Sequence, residues 1–389
     1  MFLGIRSPFR MRRMMRHPLI GKAATTAGIV ALLCLAGPFA GLAQGPQTNI
    51  QAFVPYRYVD PATGLEAFRL LVPRGWRSQG EIRWSANPAL PAQSRFRFYN
   101  PAGPEELNLF PTRSYFWTDN RLFLTTNPPG SLRFGSRVSR PVSLHEALTK
   151  IVIPGAGRKM SGVRTVYEKD VPELAQLARG APGQGVQASA QGGKMRISYR
   201  ESGRPMEEEF FTAVSQFVIP MPGSGRGGGY FINYWYVDYT FSCRDEAGRL
   251  DSHAGIFKTM IHSLKVNPQW FAKVANVKEM LARKNIQQIK AIGRIGSMVA
   301  QAGSRMREDQ QRDWERRQQV QDRIARNFSD HIRGVDRYYD PQAGKEVELP
   351  AGHGHAWSNN RGEYVVTESP SFNPNVGSNL NWQPLTPVK

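Results

Sequence analysis

Between residues 50 and 270, apolar and polar positions alternate in short runs broken by Pro, Gly and Asn. EAFRLLVPRGW (Glu66 to Trp76) reads as a strand closed by a Pro-Arg-Gly turn. EIRW (Glu81 to Trp84) and RFRFYN (Arg95 to Asn100) alternate charged and apolar residues, as half-buried strands do. SLHEALTKIVIP (Ser143 to Pro154) predicts a helix, with Ser143 and Glu146 spaced as a capping box and Pro154 as the stop. PELAQLAR (Pro172 to Arg179) predicts a second helix with proline in its first turn. KMRISYRES and the run from Pro205 to Ile219, separated by Gly203, predict a hairpin. The next strand, Tyr230 to Cys243, carries Phe231, Trp235, Val237, Tyr239 and Phe241 at alternate positions, with Tyr230, Tyr234 and Tyr236 on the other face. Aromatic alternation of this kind suits the centre of a sheet. Ile256, Phe257, Met260, Ile261 and Leu264 then share one helical face.

The pattern changes after residue 270. Proline disappears, and Ile286, Ile289, Ile292 and Ile295 recur every third residue, followed by Val299. Trp314, Val320, Ile324, Phe328 and Ile332 extend an apolar stripe among mixed charges. Residues 271–333 therefore predict a long charged helix or helical pair with a break near Gly303. A homodimer through this helix is one expectation, although threefold spacing fits a heptad seam poorly. Residues 334–389 predict a small C-terminal β module, with a type I turn at DPQAG and strands at KEVEL and GEYVVTES. At roughly 55 residues it is too small to fold alone, so it should dock on the helix or the first domain. The fold class expected is α+β: an antiparallel sheet with packed helices over 50–270, then the helix, then the β module.

AFRLLVPRGW near the start of the first domain and IFKTMIHSLKVNPQWF at its end resemble exported α+β domains of the PsbP and Mog1 type. The resemblance covers roughly half the chain. It implies helices packed on an antiparallel sheet and a role in binding or assembling other proteins; it carries over no functional residue. The tail FNPNVGSNLNWQPL resembles the C-terminal ending of uncharacterised secreted bacterial proteins.

Charge and targeting signals add a compartment. Arg6, Arg10, Arg12, Arg13, Arg16 and Lys22 precede the apolar run Ala27 to Ala40, and Gly41 and Ala43 are small residues before a cut after Ala43. This is the layout of a secretory signal peptide over residues 1–43. The apolar run is shorter than the roughly 20 residues of a membrane span, and no longer one follows, so no transmembrane anchor is expected in the mature chain. A periplasmic or secreted location follows. The formal charge is +20 over the whole chain, and +14 once the leader's six positive residues are removed. Dispersed arginine suits anionic envelope surfaces. Zinc-finger spacing, RNP aromatics and acid-free basic helices are all lacking, so nucleic acid is not an expected partner. With Cys34 in the leader, Cys243 has no intramolecular disulfide partner.

The chemical candidates are few. Cys243 ends a strand before His253 and His262, which raises a Cys–His dyad or a reactive thiol, but no hydrolase signature accompanies it. MPGSGRGGG lies between strands and so makes neither a nucleophile elbow nor a phosphate loop. Glu207, Glu208 and Glu209 are consecutive on a strand, so the middle one points away from its neighbours. His353 and His355 could meet one metal ion with His331, Asp330 or Glu363, but Gly352 and Gly354 disrupt the strand and no metal-ligand framework surrounds them. No catalytic residue, metal centre or cofactor is therefore assigned. The expected site is a recognition surface of His353, His355, Trp357, Asn373, Asn375 and Trp382, facing a protein or envelope-polymer partner. The expected function is binding or scaffolding in the bacterial envelope or extracellular space. The alternatives are a hydrolase or metalloenzyme using Cys243 or His353/His355, and a secreted factor binding anionic surfaces of other cells.

Overall fold

Three long strands dominate the molecule: β10 (Gln187–Glu201), β11 (Arg204–Met221) and β12 (Tyr230–Glu246), which follow β1 (Ile50–Val59), β2 (Glu66–Pro73), β3 (Arg77–Trp84), β4 (Ala92–Tyr99), β5 (Glu106–Leu109), β6 (Arg113–Thr118), β7 (Leu132–Arg133), β8 (Ser136–Val138) and β9 (Ser161–Asp170). The computed structural model describes residues 50–180, 185–222, 228–283, 295–331, 335–376 and 378–388, excepting the side chains of 295, 297 and 320–331. The signal-peptide segment, Ile286, Ile289, Ile292 and Ile332 lie outside the described residues, as do the side chains of Asp330 and His331.

The expected α+β class is corrected. Strands take up 45% of the structure and helices 22%, so the protein is mostly β, built from large curled sheets. The ten-stranded sheet runs β3-β4-β5-β12-β11-β10-β9, with β6 joining β12 and the short β7 and β8 beside it. β10 and β11 form the hairpin marked by Gly203, turning through Ser202 and Gly203, both at positive φ (50° and 83°). That is the backbone a two-residue hairpin loop demands.

The C-terminal strands do not make one separate β module but divide between two sheets. They are β14 (Val335–Asp340), β15 (Lys345–Pro350), β16 (His355–Ser358), β17 (Tyr364–Thr367), β18 (Gln383–Pro384) and β19 (Thr386–Pro387), and they follow β13 (Lys265–Val266). β15-β14-β19 form a three-stranded sheet, and the others join N-terminal strands. β17 pairs with β1, Phe53 opposite Tyr364, in a six-stranded sheet ordered β13-β2-β1-β17-β16-β18. Phe53, Leu71, Tyr338, Leu349, Tyr364 and Val366 share one core. The N-terminal strands supply the apolar surface that the last 55 or so residues lack, which is why a segment too small to fold alone is ordered.

The helices are mostly short. α1 (Arg121–Thr126) and α2 (Leu144–Ala147) come first; Ser143 and Glu146 form the capping box of α2. A π turn (Leu148–Val152) carries the chain into α3 (Ile153–Gly155), which contains Pro154. α4 (Pro172–Ala178) starts on its proline and lies on β10, where a Cβ at Gly192 would collide with the Ala175 nitrogen and the Val171 carbonyl. α5 (Ala254–His262) buries Phe257 and Met260. In place of one long charged helix or a helical pair over 271–333, the described residues hold three helices, α6 (Pro268–Arg283), α7 (Ile295–Gln301) and α8 (Glu308–His331), the last two separated around Gly303. Val277, Leu281, Met298 and Val299 pack α6 against α7 within the protomer. Among the described residues no helix is long and apolar enough to cross a membrane.

Both faces of the large sheet are covered. Leu144, Leu148, Val152, Met195, Ile197, Phe210, Trp235 and Val237 pack under the α2–α3 segment. Phe96, Phe98, Leu107, Phe211, Phe241 and Cys243 pack against β2, α4 and α5. Trp235 and Phe241 thus serve opposite cores although their numbers share parity. The register of β11 on β12 shifts between Phe211 and Ala213, and Tyr239 takes φ 50°. One extra residue in a strand moves every later side chain to the other face.

Candidate functional site

The same alternation that builds the cores also carries charge inward. Glu208 follows Met206 and precedes Phe210 on the α2–α3 face of β11, and it is fully buried. Ser242 Oγ donates to its Oε1 at 2.6 Å, and Tyr199 OH donates to its Oε2 at 2.9 Å. Arg158, in the loop after α3, brings its Nε to 3.1 Å from the same Oε2 and its terminal nitrogen into a close ion pair with Glu106. Glu106 on β5 is only 2% exposed. It also accepts from Arg97 Nε at 2.7 Å and from Asn108 Nδ2 at 2.8 Å. Arg244, opposite Glu106 and Glu208 in the ladders, closes the network through Glu201.

Electrostatics fixes the charge states. Burial alone would raise the Glu106 carboxyl, but the Arg158 charge and the hydrogen bonds from Arg97, Arg158 and Asn108 outweigh it and hold the pKa below the ordinary value. Glu208, enclosed on all sides, is pushed up by burial against the pull of Arg158 and its hydrogen bonds. Arg158 is held charged by Glu208 and Glu106 in spite of burial.

Above this network lies an open cleft of about 590 Å³ between β3–β4 and the Arg158 loop. Arg97, Arg158 and Arg244 form its floor, and exposed Arg95 and Lys159 its rim. Arg95 donates to the Gly155 carbonyl at 2.8 Å and sits over the Phe110 ring. Of the acidic lining residues, Glu106 and Glu201 are engaged by arginines, and Glu81 pairs with Arg83. The rim therefore offers cations to solvent, with the Phe110 ring lying beneath Arg95 and stacked on Phe210. That arrangement suits a carboxylate or phosphate, which guanidinium groups recognise as a planar fork.

No family model and no curated protein sequence matches the chain.

The residues singled out from sequence lie outside this cleft, and two of them, His353 and Trp382, are buried. His353 is 8% exposed, with its Nδ1 lacking a hydrogen-bond partner, whereas His355 opens β16 and faces solvent. Trp382 is buried, and Asn375 clamps its backbone with bonds of 2.8 and 2.9 Å. Asn373 accepts from the Asn375 N–H as a turn former, and Trp357 is half-buried within its sheet. Cys243 is 6% exposed, and burial, Glu209 and Glu208 push its thiol well above the ordinary value. His253 Nδ1 turns to Asp245 and His262 Nδ1 to Glu348. Glu207 and Glu209 do point away from Glu208: Glu209 pairs with Lys194 at 3.0 Å on the opposite face. Nothing local in the sequence marks Glu106, Arg158 or Arg244. The one local signal was Glu208, a charge sharing parity with buried Met206 and Phe210.

Proposed function

We propose that the protein is an exported, non-enzymatic binding protein of the bacterial envelope that takes a carboxylate-bearing polymer segment into the Arg158 cleft. The observation that carries this reading is the cationic rim of Arg95 and Lys159 set over a floor of guanidinium groups already fixed by buried carboxylates. A floor anchored in this way holds its donors in place before the ligand arrives, which lowers the entropic cost of binding. The cationic, polar lining matches an acidic sugar, whose carboxylate can meet Arg95 and Lys159. The leader-like segment at residues 1–43 supports the envelope location.

The test is calorimetric titration of residues 44–389 with oligogalacturonate and with a neutral maltooligosaccharide. The acidic chain should bind, lose affinity with added salt, and weaken about tenfold or more in Arg95→Gln/Lys159→Gln. Equal binding of the neutral chain, or unchanged affinity in the double variant, contradicts the reading.

A further inference from the structure

A second constellation lies on the opposite face of the same ladder. β5 pairs with β12 so that Glu106 faces Arg244, and one residue further out Glu105 comes beside Asp245. Alternation turns this pair away from the Arg158 cleft. The chain then reverses through Gly248, at φ 82°, and returns His253 over the two carboxylates. His253 Nδ1 is 2.5 Å from Asp245 Oδ2 and 3.7 Å from Glu105 Oε1. One donor atom from each of the three residues lies within 4.8 Å of the others, the only such group found among the described residues.

The surroundings call for a cation. Asp245 is fully buried and Glu105 is 8% exposed. Among the described residues their only ion pairs are with His253. Two buried carboxylates facing one imidazole leave negative charge that an interior does not tolerate uncompensated. The outer oxygens are already occupied: Asn100 Nδ2 donates to Glu105 Oε2 at 3.0 Å, and the Glu246 N–H donates to Asp245 Oδ1 at 2.7 Å. Bonds of this kind orient metal ligands, and here they leave Oε1 and Oδ2 aimed at Nδ1. His253 also lines a cleft of about 250 Å³, which brings solvent to one side of the group.

We propose that Glu105, Asp245 and His253 bind one divalent transition-metal ion. A mixed nitrogen and carboxylate donor set suits Zn²⁺, and three protein donors leave a coordination position for water.

The experiment is Zn²⁺ titration of chelator-stripped residues 44–389, with bound metal counted after dialysis and Co²⁺ absorption read in parallel. One ion per chain is expected. His253→Gln, which replaces a partly exposed side chain, should abolish stoichiometric binding while circular dichroism stays unchanged. Asn100→Ala, which touches no donor atom of the site, should weaken binding about 10–100-fold. His353→Gln/His355→Gln should retain the ion. Failure of the parent protein to bind, leaving a His–carboxylate ion pair only, overturns the proposal. So does an ion retained at unchanged affinity in His253→Gln, or lost only from the His353/His355 variant.

Discussion

Replacing Arg158 by methionine tests the network beneath the cleft. The substitution keeps much of the side-chain volume and removes the guanidinium, which is 11% exposed and serves two carboxylates that are 2% and 0% exposed. Glu106 retains Arg97 and Asn108, so the loss falls mainly on Glu208, left with Ser242 and Tyr199 but without Arg158's charge. Breaking a buried pair from one side costs about 3–5 kcal/mol, against about 0–1 kcal/mol for an exposed pair. Urea unfolding followed by tryptophan fluorescence should therefore place Arg158→Met at least about 3 kcal/mol below the parent. Adding Glu208→Gln, which removes the stranded charge, should recover half or more of that loss. A single variant within about 1 kcal/mol of the parent, or a double variant as weak as the single, refutes the claim that Arg158 neutralises a buried carboxylate.

Three further outcomes follow from other parts of the molecule. Ser202, at φ 50° in the β10–β11 turn, should give about 0.5–1 kcal/mol of added stability as Ser202→Asn, because asparagine tolerates left-handed backbone; an unchanged urea midpoint counts against it. Burial lowers the His353 pKa, opposed by Glu368 and Asp336, so the unfolded chain takes up that proton first. The stability is complete above the unfolded value of about 6.5 and is lost as pH falls from there through the folded value; His353→Gln should flatten this limb of the stability profile, and an unaltered slope excludes the assignment. Cys243, buried and with its thiol pushed up, should resist iodoacetamide in the native protein and react fully in denaturant; rapid native labelling would show it exposed.

Local chemistry was legible in the sequence wherever it depends on neighbours along the chain. The Ser143–Glu146 capping box, the proline-led helix at Pro172 and the hairpin at Gly203 all form. Distant pairing was not legible. Nothing near Tyr364 says that its strand lies beside Phe53, so the C-terminal strands read as a module of their own. The bulge at Tyr239 also escaped, because alternation through Trp235, Val237 and Phe241 runs unbroken in sequence while the backbone inserts an extra residue. Short helices and strands of up to 18 residues moved the balance from α+β to mostly β. The candidate site was hidden for a related reason. Glu106, Arg158, Glu208 and Arg244 come from four separate elements, and each alone resembles the solvent-facing member of an alternating strand or loop. Conversely, the asparagines and tryptophans of the tail drew attention through composition, yet Asn373 and Asn375 bond backbone and Trp382 fills the core.

Hydrogen exchange with and without oligogalacturonate shows whether an anionic ligand binds in the arginine-floored cleft. Ligand should slow exchange in residues 77–84, 95–99 and 156–159, which frame the cleft, and leave residues 353–382 unchanged. Protection confined to 353–382, or none at the cleft while ligand is bound, would place the binding site elsewhere.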